Sequence, residues 1–243
     1  MAITLTGGMT LGAMTLSSPP PTVPNYSVVF NGSSQYLTTP ASDSYITTTG
    51  NYTIEFWCYS RSLGSGGSAG AMFLVDKGGY QILMRHNGAA WECYYTSGTA
   101  FTTVPTSTIP INQWVHQALV RIGGTVKWYI NGTQYGSAAN STSYDSTTFT
   151  QIGRFGTGYY DGYISNLRIV DGTGVYTTAF TPSTTGPLPT TQSANQYGNP
   201  SAAIASGTSL LTCQSATIID NSSFARTITN NGTATVSSTN PFP

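Results

Sequence analysis

From Tyr26 onward the chain breaks into short runs of alternating polarity, each closed by residues that turn a backbone, and this most constrains its fold. Tyr52, Ile54, Phe56 and Cys58 alternate with Thr53, Glu55, Trp57 and Tyr59, which is the period of a strand with one apolar face. Phe73-Leu-Val75 and Tyr80-Gln-Ile-Leu-Met84 flank Asp76-Lys-Gly-Gly79, and Trp91-Glu-Cys-Tyr-Tyr95 follows the hairpin signal His86-Asn-Gly-Ala89. Trp114–Arg121 and Val126–Ile130 are joined across Ile122-Gly-Gly124, and Asn131-Gly132 turns the chain again. Phe149–Ile152 and Gly162–Val170 continue the series, and no helical period intervenes. Such spacing predicts an all-β fold, an antiparallel sandwich, and argues against alternating strands and helices.

The 243 residues then divide into three stretches. Residues 1–24 alternate Ile3, Leu5, Met9, Leu11, Met14 and Leu16 with Thr and Gly, and close on Pro19-Pro-Pro21 and Pro24. They read either as an extended N-terminal arm with a stiff spacer, able to add a strand to a partner's sheet, or as the sandwich's own first strand. They carry no Lys or Arg and no continuous apolar core, so a secretory signal is not expected in them. Residues 25–182 form the sandwich. Residues 183–243 comprise a Pro/Thr/Gln/Asn-rich crossing loop and candidate edge strands at Ser209–Cys213, Thr227–Thr229 and Thr233–Val236, too short for a core of their own.

Charge excludes several classes of function. Eight Lys and Arg balance eight Asp and Glu, and charged residues are only 7% of the chain. Scattered cations make no basic stripe for nucleic acid, and no apolar run approaches the ~18 residues of a membrane span. With 39% hydrophobic and 12% aromatic residues the chain has the material for a core. A neutral, charge-poor surface is weakly protected against self-association, which points toward an assembly and a homo-oligomer. Cys58, Cys93 and Cys213 are too few for a disulfide scaffold; no CxxC occurs, and His86 and His116 lack zinc-ligand spacing. Folding in a reducing cytoplasm follows. Of the sequons at Asn25, Asn31, Asn51, Asn131, Asn140, Asn221 and Asn231, those at Asn31, Asn131 and Asn231 are Asn-Gly pairs suited to turns.

Five ordered motifs, Ser27–Leu37, Tyr52–Trp57, Trp114–Arg121, Val126–Gly132 and Gly162–Ile169, resemble the laminin G-like, concanavalin A-like jelly-roll domain over about residues 26 to 182. Gly174–Pro182, Ser209–Cys213 and Ile219–Ser223 are similar to versions in bacteriophage, notably cyanophage, virion proteins. In many relatives a Leu-Leu run and an Asp-Asn/Ser-Ser run precede the first motif. Here they follow the last strand, which implies a circularly shifted closure by the C-terminus. The resemblance implies a structural or binding module and identifies no ligand.

Within the strands, Trp57, Trp114 and Trp128 are expected to fill the space between the sheets, and His116 to be a hydrogen-bonded core or sheet-face residue. Arg121 and Arg168 are expected to pair with Glu55 or Asp161, or to reach water. The resembled hydrolase branch carries Glu-x-Asp-x-x-Glu on one strand. This chain has only Glu55 and Glu92, isolated among aromatics, so no catalytic pair is expected and a depolymerase is the weakest reading. No Gly-x-Ser-x-Gly elbow appears, and the Gly-rich Leu63–Gly70 lacks the lysine of a phosphate loop. Asp43, Asp145, Asp161 and Asp171 occupy turn settings that could suit calcium, but each has a turn-forming explanation, and neither a metal nor another cofactor is expected.

The candidate ligand-binding residues are loop aromatics whose rings would stack on a sugar: Tyr159 and Tyr160, then Trp91, Tyr94 and Tyr95. The leading expectation is a non-enzymatic virion protein, assembled in the host cytoplasm as a capsid decoration or a tail or fibre component. Its partners would be other virion proteins, engaged through the N-terminal arm, without nucleic acid or membrane insertion. The alternative is a carbohydrate-binding adhesin recognising host surface glycans.

Overall fold

A computed structural model describes residues 25–40, 45–46, 49–63, 71–76, 80–144, 149–196 and 200–242. The arm at 1–24, the Gly-rich loop at 64–70, and Asp43 and Asp145 lie outside the described residues.

The strands are β1 (Ser27–Asn31), β2 (Tyr36–Thr38), β3 (Tyr52–Ser60), β4 (Ala71–Asp76), β5 (Tyr80–Asn87) and β6 (Ala90–Thr96). Next come β7 (Thr99–Ala100), β8 (Val104–Pro105), β9 (Trp114–Ile122), β10 (Thr125–Ile130), β11 (Thr133–Ala139) and β12 (Phe149–Ile152). The chain continues through β13 (Arg154–Phe155), β14 (Gly158–Tyr159), β15 (Asp161–Asp171), β16 (Thr208–Thr212), β17 (Thr229–Asn231) and β18 (Thr235–Ser237). Sheet A has the order β11-β10-β9-β3-β15-β1-β18, with β16 also on β15; sheet B has the order β17-β2-β12-β4-β5-β6-β7, with β8 on β6. All pairings are antiparallel, and the two sheets form the sandwich that the alternation predicts.

Period-two alternation divides each strand between the interior and an outer face. Ile54, Phe56 and Cys58 of β3, Val115 and Leu119 of β9, Trp128 of β10 and Ile164 of β15 face Phe73, Ile82, Met84, Trp91 and Cys93 of sheet B in one buried cluster. Cys58, Cys93 and Cys213 are all free and buried. Arg121 also lies inside, contrary to expectation: it bonds Gly50 O, Asn140 Oδ1 and Thr142 O, and its guanidinium lies over the rings of Tyr52 and Tyr144. Among the described residues, carbonyl oxygens and π faces at the end of β9 hold it.

The last quarter of the chain closes both sheets. β15 pairs along one side with β3, and along the other with β1 and β16 laid end to end: Val28–Asn31 meet Ile164–Asp161, and Thr208–Thr212 meet Val170–Leu167. At the junction Asn166 adopts φ 53°, its amide bonds Cys213 O, and its Oδ1 accepts Leu188 N. β18 then caps β1 at the edge of sheet A, while β17 caps β2 at the edge of sheet B.

Outside sheet A the connection after β15 forms a third layer. Val175, Tyr176, Phe180 and Ile204 pack on Ala118, Val120, Tyr129 and Val170. Gly132 admits the strap closely, since a Cβ there would sit 1.7 Å from Phe180 O and its φ is +76°.

Candidate functional site on the outer face of sheet B

The β13–β14 hairpin folds against sheet B and brings together residues far apart in sequence. Arg154 pairs with Tyr159 across the hairpin, and the Tyr159 ring lies 6.1 Å from that of Tyr36 on β2. The Arg154 guanidinium carbon stands 4.6 Å from the Tyr36 ring centre and 5.6 Å from that of Tyr159. Tyr36 alternates with buried Leu37, so its ring belongs to the outer face, and all three residues are half-buried. Phe155, beside Arg154, packs on Leu83 together with Tyr94. Tyr94 in turn borders a polar group in which Arg85 Nε meets Glu92 Oε2 at 2.9 Å and Asn87 Nδ2 donates to Glu92 Oε1.

Tyr159 and Tyr94 therefore stand on one face, as a ring platform requires. Tyr160 and Trp91 do not, and the expectation that they are exposed loop aromatics is corrected. Tyr160 is wholly buried, with its hydroxyl 3.1 Å from Ser60 Oγ. Trp91 is wholly buried, donates from Nε1 to Ile109 O, and lies 4.0 Å from the His86 ring. Trp91 falls on the inward phase of β6, and Tyr160 lies between β14 and β15 with its ring turned into the core. Tyr95 is partly buried and packs against the core, its ring 4.4 Å from Phe101. Tyr36 and Arg154 were missing from the sequence-derived candidates. The available signal was an arginine set between Gly153 and Phe155-Gly156 in a chain with few charges.

A second aromatic group lies on the outer face of sheet A, where Tyr59 is 5.7 Å from Trp114 and 5.8 Å from Tyr163. Trp57, packed on His116 and Phe242, and Trp114 thus do not fill the inter-sheet space as expected, whereas Trp128 does. Arg61 covers Tyr163 and pairs with Asp161 at 2.6 Å.

The two glutamates are both engaged. Glu55, wholly buried on the outer side of sheet A, meets Arg168 Nη2 at 2.6 Å and His116 Nε2 at 3.2 Å, and accepts the Tyr176 hydroxyl at 2.8 Å. Burial alone would raise its pKa, but the charge of Arg168 and the hydrogen bond from His116 bring it down to about 2. Glu92 is held by Arg85 on the opposite outer face. His86 sits between the sheets with Nε2 2.7 Å from Ser60 Oγ, and burial pushes its pKa down to about 4. Among the described residues no three His, Cys, Asp or Glu converge as a metal site. Asp161 is held by Arg61.

The architecture and the sequence point to one family. The description of the concanavalin A-like lectin/glucanases superfamily matches residues 31–179, well over half of the chain. The chain belongs to this concanavalin A-like superfamily. Among solved structures, a carbohydrate-binding protein of Bacteroides ovatus, itself described as putative, superposes with TM-score 0.55 at 16% identity, over 90% of this chain and 61% of that one. Mouse laminin α1 domains LG4-5 give TM-score 0.42 at 12% identity, over 64% and 46% of the respective chains. A heptameric pentraxin of Limulus polyphemus gives 0.42 at 14%, over 60% and 76%. No curated protein matches the sequence. At 16% identity the likeness to the Bacteroides ovatus protein shows the fold alone and leaves the ligand to the chain's own residues.

Proposed function

We propose that this chain is a non-enzymatic phage virion protein, a jelly-roll module displayed on the particle as a capsid decoration or a tail or fibre component. Residues 1–24 attach it to other virion proteins, and copies of the chain assemble with one another. The fate of the two glutamates supports the non-enzymatic part. Glycoside hydrolysis uses two carboxyls within about 5–9.5 Å of each other. Glu55 and Glu92 lie on opposite outer faces of a sandwich whose sheets pack ~10 Å apart, and each is bound to an arginine. The wording of Gly174–Pro182 and Ile219–Ser223, similar to phage virion versions, supports the setting. Deleting residues 1–24 is expected to leave the sandwich folded and to abolish incorporation into particles. Normal incorporation of the truncated chain overturns the attachment role.

A second reading, a glycan-binding adhesin, is favoured by the Tyr36–Arg154–Tyr159 triangle, which offers aromatic rings and polar termini on one face. A glycan array with the Tyr36→Ala/Tyr159→Ala double variant tests it. Unchanged binding by the variant removes the triangle as the platform. The two readings are compatible in one virion protein.

A further inference from the structure

Arg154 is held unlike the other arginines. Its Nε donates to Gly156 O at 2.9 Å, and its faces lie against Tyr36 and Tyr159. Among the described residues it meets no carboxylate, and its Nη1 and Nη2 make no hydrogen bond. By contrast, Arg61 and Arg85 meet Asp161 and Glu92, Arg168 meets Glu55, and Arg121 and Arg226 bond backbone carbonyls. Neither Tyr36 nor Tyr159 engages its hydroxyl within the described residues. An oriented guanidinium therefore keeps its outer fork of donors unused, between two phenol groups able to donate and accept.

That fork matches a planar carboxylate through two parallel hydrogen bonds. The remainder of the ligand must present polar groups to two phenols beside apolar ring edges, as an acidic sugar does. We propose that Tyr36, Arg154 and Tyr159 form a binding site for a uronic-acid residue of a polysaccharide. Arg154 takes the carboxylate, and the two tyrosine hydroxyls serve the sugar's own hydroxyls. With no carboxylate against it among the described residues, Arg154 suits a ligand that carries one negative charge per sugar. Phe155 and Tyr94 extend the apolar surface along the same face, toward a neighbouring sugar. This inference rests on the glycan-binding reading and assigns its ligand class.

The test is calorimetric titration of the full chain with tetragalacturonic acid, its fully methyl-esterified form, neutral maltotetraose and sulfated dextran. Tetragalacturonic acid is expected to bind, and the ester at least tenfold more weakly, since esterification removes the charge and keeps the ring. Arg154→Gln is expected to lose at least tenfold toward the acid. Arg154→Lys is expected to lose severalfold, because a point charge cannot fork. Both should keep the wild-type melting temperature, which separates lost binding from lost folding. Equal binding of acid and ester, or an unaffected Arg154→Gln, overturns the uronate assignment while glycan binding stands. Preference for sulfated dextran overturns it in favour of a sulfate ester. No binding of the acid also overturns it, and the glycan array then decides the broader reading independently.

Discussion

Arg168 and Arg154 stand on the outer faces of opposite sheets and are used in opposite ways. Arg168 is fully buried beneath the strap, where it donates to Glu55 Oε1, Pro189 O and Gln192 Oε1. It ties β15 to β3 and pins the crossing segment to both. Arg154 is half-buried, joins no distant segment through a hydrogen bond, and is oriented by rings. A guanidinium whose donors are all engaged inside the protein closes a structure. One whose Nη donors make no hydrogen bond among the described residues is available for recognition. In a chain with few charges this contrast separates architecture from surface chemistry more sharply than composition does.

The largest expected effect is on the closing side. Arg168→Met leaves Glu55 buried with its main counter-charge gone, and truncating one partner of a buried pair costs about 3–5 kcal/mol. Urea unfolding should show that loss. Arg168→Met/Glu55→Leu should recover much of it, because the stranded charge is removed. A single variant as stable as wild type would break the contrast.

Acid should separate the closing network from the dry interior. The folded pKa of Glu55, about 2, lies below the ordinary 4.5, so its contribution is present above pH 4.5 and fades as pH falls toward 2. His86 is also depressed, from 6.5 to about 4. Below pH 6.5 the unfolded chain gains a proton that the folded one refuses, so stability falls as pH drops toward 4. With about 1.4 kcal/mol per tenfold step, each group accounts for roughly 3 kcal/mol. Stability measured by denaturant from pH 7 to 3 should fall in two stages. His86→Gln should flatten the upper stage and leave the lower; a profile unchanged by that substitution would refute the assignment.

Gly132→Ala tests how tightly the strap is seated. The added methyl meets Phe180 O at a left-handed φ, a strained position expected to cost about 1–3 kcal/mol. Hydrogen exchange should quicken first at Phe180, whose amide bonds Gly132 O. The smallest stability effect belongs to Arg154→Gln, within about 0.5 kcal/mol as for surface changes that break no buried contact. A larger loss there would make Arg154 architectural and erase the contrast with Arg168.

Much of the fold was legible because turn chemistry and alternation are local. Asn131-Gly132 has positive φ at both residues, as an Asn-Gly hairpin turn requires. Asn31-Gly32 turns differently: the Asn31 side chain accepts from the amides of Ser33, Ser34 and Gln35, and only Gly32 has positive φ. Both read identically in sequence. The candidate site was less legible because alternation shows which residues share a face but not which face is inside. Trp91 was expected outside and is inside, while Trp114 was expected inside and lies outside. Tyr36 and Arg154 are brought together only when β12 pairs with β2 and the next hairpin folds over the sheet. No local pattern encodes that meeting.

The seam between β1 and β18 has a mechanical consequence. Ser27 pairs with Ser237 and Val29 with Thr235, while Asn240 Nδ2 bonds Asn25 O, so both strands leave the sandwich at the same end. Tension applied between the two ends would peel this edge open one hydrogen bond at a time, at low force. Pull applied through the β1 end alone, with the sandwich gripped by its surface, would instead drag β1 lengthwise against β15 and load several bonds together. A module anchored by one end and gripped by its face is thus loaded along its strong direction.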